Sequence, residues 1–232
     1  MKSFIQHRQT LISENKGFAY EKELHKRLDS FTLAPHHFNP AGAGHGPDGM
    51  FMFRGREYGY EIKLSERSVD YGQVELRYRN GAWMFGGKNE EAKELYTGLG
   101  VLDFVYKHWG DKGAPRRETV SSKDMTFDDR KYDYAQYKDG FMKVPTSFLH
   151  DHYARKGVFY IQIGKKGFYH LKNDIANIGT PQYNPSLKLR LRIKGRASKR
   201  TKGYGFLTAL ILDKGAVKSK YDMDGNLDFL RK

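Results

Sequence analysis

Apolar positions along the chain recur with two different periods, and the change of period marks the predicted elements. Residues 13–30 have apolar side chains three to four positions apart, which predicts a helix capped by Ser13. Residues 50–53 and 57–64 instead alternate around Arg54-Gly55-Arg56, which predicts two strands joined by a tight turn. The chain therefore begins as a helix followed by a hairpin.

One face of the predicted first helix carries Phe18, Leu24 and Leu28, with Glu21 among them. A carboxylate on an otherwise apolar stripe is unusual, because burying an unpaired charge is costly. Glu21 is therefore a candidate for a role beyond packing.

The remaining pattern predicts more strands than helices. Residues 68–78 are compatible with a short helix or an extended segment, and the polar residues 110–140 are expected to form a long loop or insertion. The other predicted elements are a strand at 83–85, a helix over 89–109, a helix from Pro145 to Arg155, a hairpin of 158–163 with 167–171, and a hairpin of 187–194 with 204–212.

This order of elements predicts an α/β or α+β fold with a central mixed β-sheet flanked by helices and a β-rich C-terminal part. There is no internal repeat and no clear linker. We expect residues 1–110 to form the core and residues 111–232 a β-rich basic extension packed on it as one elaborated domain.

Composition narrows the function classes. The chain has 232 residues, 41 Lys and Arg against 27 Asp and Glu, and no cysteine. The absence of cysteine excludes a disulfide scaffold, a thiol nucleophile and an iron–sulfur cluster. No apolar run has the length of a membrane span, and the N-terminal residues do not resemble a secretory signal. We expect a cytoplasmic chain, or one in the host cytoplasm if the source is viral.

Positive charge is concentrated near the C-terminus. Residues 182–220 contain eleven Lys and Arg and a single acid, Asp213. Such a segment is better explained by phosphate contacts than by solubility alone, although a solvated basic face is the simpler alternative. The candidate DNA-binding residues of the second hairpin are Arg190, Arg192, Lys194, Arg196, Lys199, Arg200 and Lys202.

The candidate chemistry lies in the first hairpin. Glu61 and Lys63 occupy alternate positions of a predicted strand, so their side chains share one face, while Tyr58, Tyr60 and Ile62 point to the other. Asp48 lies in a glycine-rich turn, and the hairpin can fold it back beside Glu61.

Two carboxylates are suitable ligands for Mg²⁺, and the carbonyl oxygen of Ile62 can supply a third oxygen. A metal ion there would polarise a scissile phosphate and help to generate hydroxide. Lys63 would orient the attacking water or stabilise the developing charge. His45 is a candidate phosphate contact. For Glu61 and Lys63 taken alone, a surface hairpin with a salt-bridged face is the competing interpretation.

Pro47-Asp48 and Glu61-Ile62-Lys63 together resemble the signature of the PD-(D/E)XK nuclease superfamily. Residues 16–21, with the sequence KGFAYE, further resemble the first helix of its Holliday junction resolvases. The resemblance covers residues 14–80. It implies a restriction-endonuclease-like core in which Glu21, Asp48 and Glu61 are metal-site acids and Lys63 is the catalytic lysine. It also implies that Gln73 lies on the following helix, where it is a candidate DNA-binding residue.

The function implied is a Mg²⁺-dependent DNA endonuclease, with Mn²⁺ as a substitute, that acts as a homodimer because two strands are cut. A structure-selective enzyme acting on branched DNA is the first choice. A sequence-specific restriction-type endonuclease is the alternative, and a non-catalytic DNA-binding protein that keeps the nuclease fold is the second alternative.

Two further clusters are interpreted as structural. His150 and His152 are two residues apart on a predicted helix and cannot face one metal ion, so both are expected at the surface. Asp222, Asp224 and Gly225 resemble the start of a calcium loop, but the glutamate required at its twelfth position is absent, and a plain turn is expected.

Overall fold

The structure is a computed structural model that describes residues 2–30, 46–66, 73–88, 90–195 and 203–231, with side chains from residue 16 onward in the first helix. The chain divides into two compact units, each built from separate segments. The four-stranded unit comprises residues 10–69, 145–186 and 212–232, and the five-stranded unit comprises residues 1–9, 70–144 and 187–211.

The helices are α1 Lys2–Ser30, α2 Glu90–Gly98, α3 Val101–Trp109, α4 Arg116–Thr119, α5 Phe127–Gln136 and α6 Thr146–Arg155. The strands are β1 Gly49–Phe53, β2 Arg56–Lys63, β3 Gln73–Arg79, β4 Ala82–Phe85, β5 Gly140–Val144, β6 Val158–Ile163, β7 Gly167–His170, β8 Ser186–Gly195 and β9 Tyr204–Lys214.

The four-stranded unit contains a mixed sheet in the order β1-β2-β6-β7. β1 and β2 are antiparallel, β2 and β6 are parallel, and β6 and β7 are antiparallel. The predicted first hairpin is confirmed. Arg54 and Gly55 both have positive φ, 50° and 75°, which is the backbone that a two-residue hairpin turn with the natural strand twist requires.

The alternation predicted for β2 is confirmed in the core. Tyr60 and Ile62 belong to one buried cluster with Leu24 and Leu28 of α1, while Tyr58 packs against it from a partly buried position. Glu61 and Lys63 therefore project from the opposite face of the strand.

The predicted first helix is confirmed, but two of its details are wrong. α1 begins at Lys2, so Ser13 lies inside the helix and is not its cap. Phe18 is 47% exposed and does not belong to the buried stripe. Of the predicted apolar stripe, only Leu24 and Leu28 are buried. The helix extends toward the N-terminus beyond Ser13 through a sequence with a weak amphipathic pattern.

The five-stranded unit contains a sheet in the order β4-β3-β9-β8-β5. Its core is aromatic: Trp83 packs against Trp109, Tyr137 and Phe206 with ring centroids 5.2 to 5.8 Å apart. The strands predicted at 83–85, 187–194 and 204–212 are confirmed, as is the helical pattern of 89–109, which is divided at Gly100 with φ of 67°.

The prediction that residues 110–140 form a long loop is wrong. The segment contains a short 3₁₀ turn, α4, α5 and the first residue of β5. Thr126 and Asp129 form a reciprocal capping box at the start of α5. Asp133 is fully buried and accepts hydrogen bonds from the backbone N–H groups of Arg116 and Arg117. Polar side chains, rather than an apolar stripe, therefore order this segment.

The remaining elements agree with the sequence pattern. Pro145 precedes α6, and β6 and β7 form the predicted hairpin. The α/β fold class, with a mixed sheet, flanking helices and a β-rich C-terminal part, is confirmed. The division of the chain at residue 110 stays a prediction. Within the described ranges, no helix combines the length and apolarity needed to cross a membrane.

Candidate active site

Asp48 lies one residue before β1, directly beside the C-terminal end of β2. The backbone N–H of Ile62 donates a hydrogen bond of 2.8 Å to Asp48 Oδ2. Gly49 pairs with Tyr60 in the antiparallel register, so the next pair outward brings Asp48 opposite Glu61. The turn of the first hairpin thus brings together two carboxylates that are thirteen residues apart in the sequence.

Glu61 and Lys63 form an ion pair on one face of β2. The Glu61 side chain is only 8% exposed and that of Lys63 is 22% exposed. A carboxylate this deeply buried requires a partner, because an isolated buried charge is strongly unfavourable. A salt-bridged surface hairpin would contain the same pair, but this pair is buried more deeply than a surface hairpin allows.

Glu21 extends the cluster from α1. The pKa of Glu21 is raised to about 7, chiefly by burial and further by the negative charges of Asp48 and Glu61, while Lys63 opposes the rise. Because Coulomb interactions of this size act over short distances, Glu21, Asp48, Glu61 and Lys63 form one electrostatic group. We call these four residues the acidic group. The four residues that the sequence indicates are therefore neighbours in the fold.

The charges of Glu61 and Lys63 depend on each other. Burial and Asp48 raise the pKa of Glu61, while Lys63 opposes the rise. Burial alone would lower the pKa of Lys63, but Glu61, Asp48 and Glu21 outweigh it and the pKa is raised. Lys63 is therefore an ammonium group at neutral pH and is suited to stabilise negative charge rather than to accept a proton.

A second cation, Lys156, acts on the same group and is not indicated by the sequence. Its positive charge lowers the pKa of Glu61. Lys156 follows α6, and the next carbonyl group, that of Gly157, packs against the backbone of Gly59 in β2. No sequence motif marks Lys156, because its position depends on β6 pairing with β2, and short-range patterns do not determine that pairing.

The donor chemistry of this group fits a hard divalent cation. Its oxygens come from carboxylates and the Ile62 backbone, and both Glu21 and Glu61 have pKa values that burial and crowded negative charge raise. In the described part of the chain, however, no three His, Asp or Glu residues are grouped closely enough to hold a metal ion. Glu61 is instead neutralised by Lys63.

The predicted DNA-binding residues belong to the five-stranded unit where they are described. Lys188, Arg190, Arg192 and Lys194 alternate along β8 with the buried Leu187, Leu189, Leu191 and Ile193. Arg190 forms an ion pair of 2.6 Å with Asp139 and lies over the ring of Phe141. One face of β8 is therefore basic and the other is core.

Gln73 is the first residue of β3, so the expectation that it lies on a helix is wrong. Lys194 Nζ donates a 3.4 Å hydrogen bond to Gln73 Oε1. The role of Gln73 in DNA binding stays a prediction. His45, Arg196, Lys199, Arg200 and Lys202 lie outside the described residues.

The two clusters interpreted as structural have internal partners. His150 is buried and forms a 2.6 Å hydrogen bond with the Tyr183 carbonyl oxygen, so the expectation that it lies at the surface is wrong. Asp222 accepts from Gln162 and from the Asp224 N–H group, and Gly225 closes a turn onto the Asp222 carbonyl oxygen. The turn expected there is confirmed.

Comparisons with known proteins give little further information. No protein-family model matches the sequence, and no curated protein matches it. A solved structure described as HhaI endonuclease in complex with DNA aligns over 92% of this chain and 94% of its own, with a TM-score of 0.44 and 10% identical residues. A similarity at this level leaves the function open.

Proposed function

We propose that the chain is a Mg²⁺-dependent DNA endonuclease that hydrolyses phosphodiester bonds. The observation that carries the proposal is the acidic group of Glu21, Asp48, Glu61 and Lys63. Its members come from α1, from the residue before β1, and from β2. Three carboxylates and one lysine crowded into a partly buried group are costly for stability, so a structural role alone does not explain them.

Asp48, Glu61, the Ile62 carbonyl oxygen and Glu21 would hold the metal ion. When bound, the ion would polarise the phosphate and lower the pKa of a water molecule. Lys63, as an ammonium group, would orient that water or stabilise negative charge on the phosphate oxygens. Asp48 is held in place by its hydrogen bond from the Ile62 N–H group, so its position does not depend on the ion.

DNA would be bound by the basic residues of the five-stranded unit. Arg190, Arg192 and Lys194 project from one face of β8, and the sequence continues from this strand into residues 196–202, which contain four more cations. A row of cations spaced along a strand suits contacts to successive phosphates, which fix the position of DNA without reading its sequence.

Branched DNA is the substrate that we favour. The observation that supports it is the membership of Glu21 in the acidic group, since the resemblance to Holliday junction resolvases depends on this helix. Such an enzyme would act as a homodimer, because two strands are cut symmetrically.

A sequence-specific endonuclease is the second candidate. It is supported by the five-stranded unit, which has its own sheet, aromatic core and basic strand but contains no residue of the acidic group. A unit of this kind is suited to recognise the DNA target. A non-catalytic DNA-binding protein is the third candidate, and the crowding of repelling carboxylates argues against it.

A cleavage panel tests these candidates. The purified chain is incubated with Mg²⁺, Mn²⁺ or EDTA and a four-way junction, a fork, long mixed-sequence duplex or single-stranded DNA. Paired symmetric nicks in the junction, with duplex intact, would support the resolvase function, and discrete fragments from duplex would support the sequence-specific one. Absence of metal-dependent product from every substrate would contradict both and leave DNA binding alone.

A further inference from the structure

Beneath the acidic group lies a packed cluster of His25, Gly49 and Tyr60. Tyr60 Oη and His25 Nδ1 are 3.0 Å apart and form a hydrogen bond between β2 and α1. Both side chains are buried, and their ring centroids are 5.8 Å apart. We call these three residues the His25–Tyr60–Gly49 cluster.

The contact between Tyr60 and His25 requires glycine at position 49, because a side chain there would occupy the space of their rings. A Cβ atom at position 49 would lie 2.6 Å from Tyr60 Cζ and 2.7 Å from His25 Cε1. Approaches this short do not occur between real Cβ atoms and ring atoms, so any other residue would push the Tyr60 and His25 rings away. The close packing of β1 on this pair thus depends on glycine.

Each member of the cluster is next to one of the three acids. His25 is one helical turn after Glu21 on α1, Gly49 follows Asp48, and Tyr60 precedes Glu61. The three acids come from three different segments, and the cluster is a point at which the same three segments are in direct contact. Hydrogen bonds and packing behind ligand residues commonly fix their orientation.

We propose that the His25–Tyr60 hydrogen bond, packed against Gly49, is a positioning device that fixes the three segments carrying Glu21, Asp48 and Glu61 relative to one another and so supports the binding of a divalent cation by these acids. This inference rests on the proposed function, since it assigns a purpose to the same acids. His25 and Tyr60 are positioning residues, because they act through the acids and do not touch the substrate.

The test compares Tyr60→Phe with Tyr160→Phe. Tyr160 is the register partner of Tyr60 on β6 and belongs to the same buried cluster. Its hydroxyl group donates to Asp174 at 2.6 Å and accepts from the Ala176 N–H group at 2.8 Å. Both substitutions keep the ring and remove a buried hydroxyl group, but Tyr160 has no acid of the group next to it in sequence.

Two readouts are measured for each variant. Mn²⁺ binding to the protein without DNA is followed by electron paramagnetic resonance, and the Mg²⁺ concentration for half-maximal cleavage is measured on the substrate found in the panel. Tyr60→Phe is expected to weaken both by about tenfold or more, whereas Tyr160→Phe should stay within about twofold of wild type. His25→Gln serves as a second variant if Tyr60→Phe does not fold.

A double variant shows whether the two residues act together. Since His25 and Tyr60 share one hydrogen bond, combining His25→Gln with Tyr60→Phe should weaken Mn²⁺ binding no further than the stronger single change. Multiplied effects would contradict a shared role.

The outcomes separate this inference from the proposed function. If wild type cleaves DNA and binds Mn²⁺ while Tyr60→Phe and His25→Gln behave as wild type does, the positioning role is wrong and the nuclease function stands. If the wild-type chain neither cleaves nor binds Mn²⁺, the proposed function fails and the positioning role fails with it.

Discussion

At the scale of single residues, the acidic group stores unfavourable electrostatic free energy when no cation is bound. Burial and mutual repulsion raise the pKa values of both Glu21 and Glu61, and Lys63 compensates only in part. Folding therefore brings together charges that the unfolded chain keeps apart. Such a group is expected to limit stability at neutral pH and to gain from a divalent cation.

The pH dependence of stability tests this strain at Glu21. In the folded chain Glu21 holds its proton to about pH 7, but the ordinary pKa is 4.5, so between these pH values the folded state binds more protons than the unfolded state. The free energy of unfolding should therefore fall as pH rises through this window. Glu21→Gln should therefore lose less unfolding free energy than wild type as the pH rises. Above pH 7 it should be more stable than wild type by about 1–2 kcal/mol, a figure reduced for the partial exposure of Glu21.

Urea unfolding in EDTA at pH 5 and pH 8 measures the effect. Glu23→Gln is the matched control, because Glu23 lies on the same helix with its side chain exposed. If Glu21→Gln and wild type lose the same stability between the two pH values, the strain does not reside at Glu21.

The sequence identifies the members of the acidic group but not everything around them. Asp48, Glu61 and Lys63 can be predicted together because strand alternation and a short hairpin are local. Lys156 and the His25–Tyr60 hydrogen bond cannot, since both depend on which segments pack against β2. The burial of His150 escapes prediction for the same reason: its partner is a backbone carbonyl group of Tyr183, 33 residues away.

At the scale of elements, the segment 110–140 shows why polar helices escape prediction. α5 has no continuous apolar stripe, and its start is defined by the Thr126 capping box and its docking by the buried Asp133. Alternating strands are predictable, because each has one buried face and a period of two. Gln73 lies on strand β3 and not on the helix that the family resemblance implies, although it is within the residues that the resemblance covers.

Removing the Asp133 carboxylate should destabilise the protein strongly. It accepts hydrogen bonds of 2.8 and 2.9 Å from the Arg116 and Arg117 N–H groups and a third from the Tyr204 hydroxyl group. Asp133→Ala leaves these three donors without their buried acceptor and should cost about 3 kcal/mol, whereas Thr126→Ala should cost about 1 kcal/mol as the loss of a helix cap. Equal free energies of unfolding for the two variants would contradict the docking role of Asp133.

The basic hairpin of β8 and β9 is expected to carry the salt dependence of DNA binding. Changing Arg196, Lys199, Arg200 and Lys202 together to Ala should weaken binding and reduce the slope of log affinity against log salt by up to about 0.9 for each phosphate that is no longer neutralised. The matched control changes four exposed cations of the four-stranded unit, Lys22, Lys26, Arg155 and Lys172. Fluorescence anisotropy at several salt concentrations measures both, and an unchanged slope in the hairpin variant would show that the hairpin does not bind DNA.

At the scale of the whole molecule, the acidic group and the basic strand β8 belong to different compact units. The acidic group lies entirely in the four-stranded unit, and the described cations of β8 lie in the five-stranded unit. The chain order does not separate these units, because each is assembled from three segments.

The homodimer is a prediction at this scale. An enzyme that makes paired cuts needs two equivalent sites, so analytical ultracentrifugation of the chain with a cleavage substrate should give two protein chains per DNA molecule. A single chain per DNA molecule that still makes paired cuts would contradict the dimer while leaving the hydrolytic site intact.

Single-turnover cleavage by wild type, Asp48→Ala and Asp151→Ala in Mg²⁺, with DNA affinity measured in parallel, tests most directly whether the acidic group hydrolyses DNA. Asp151 is an exposed acid of the same unit, paired with Lys172 at 2.6 Å, and serves as the control. We expect Asp48→Ala to lose cleavage by about a hundredfold or more while keeping or tightening DNA binding, since removing a carboxylate that helps to hold the metal abolishes the chemistry and also reduces repulsion of phosphate. Asp151→Ala should cleave as wild type does. Cleavage by Asp48→Ala at the wild-type rate would show that the hydrolytic site lies elsewhere.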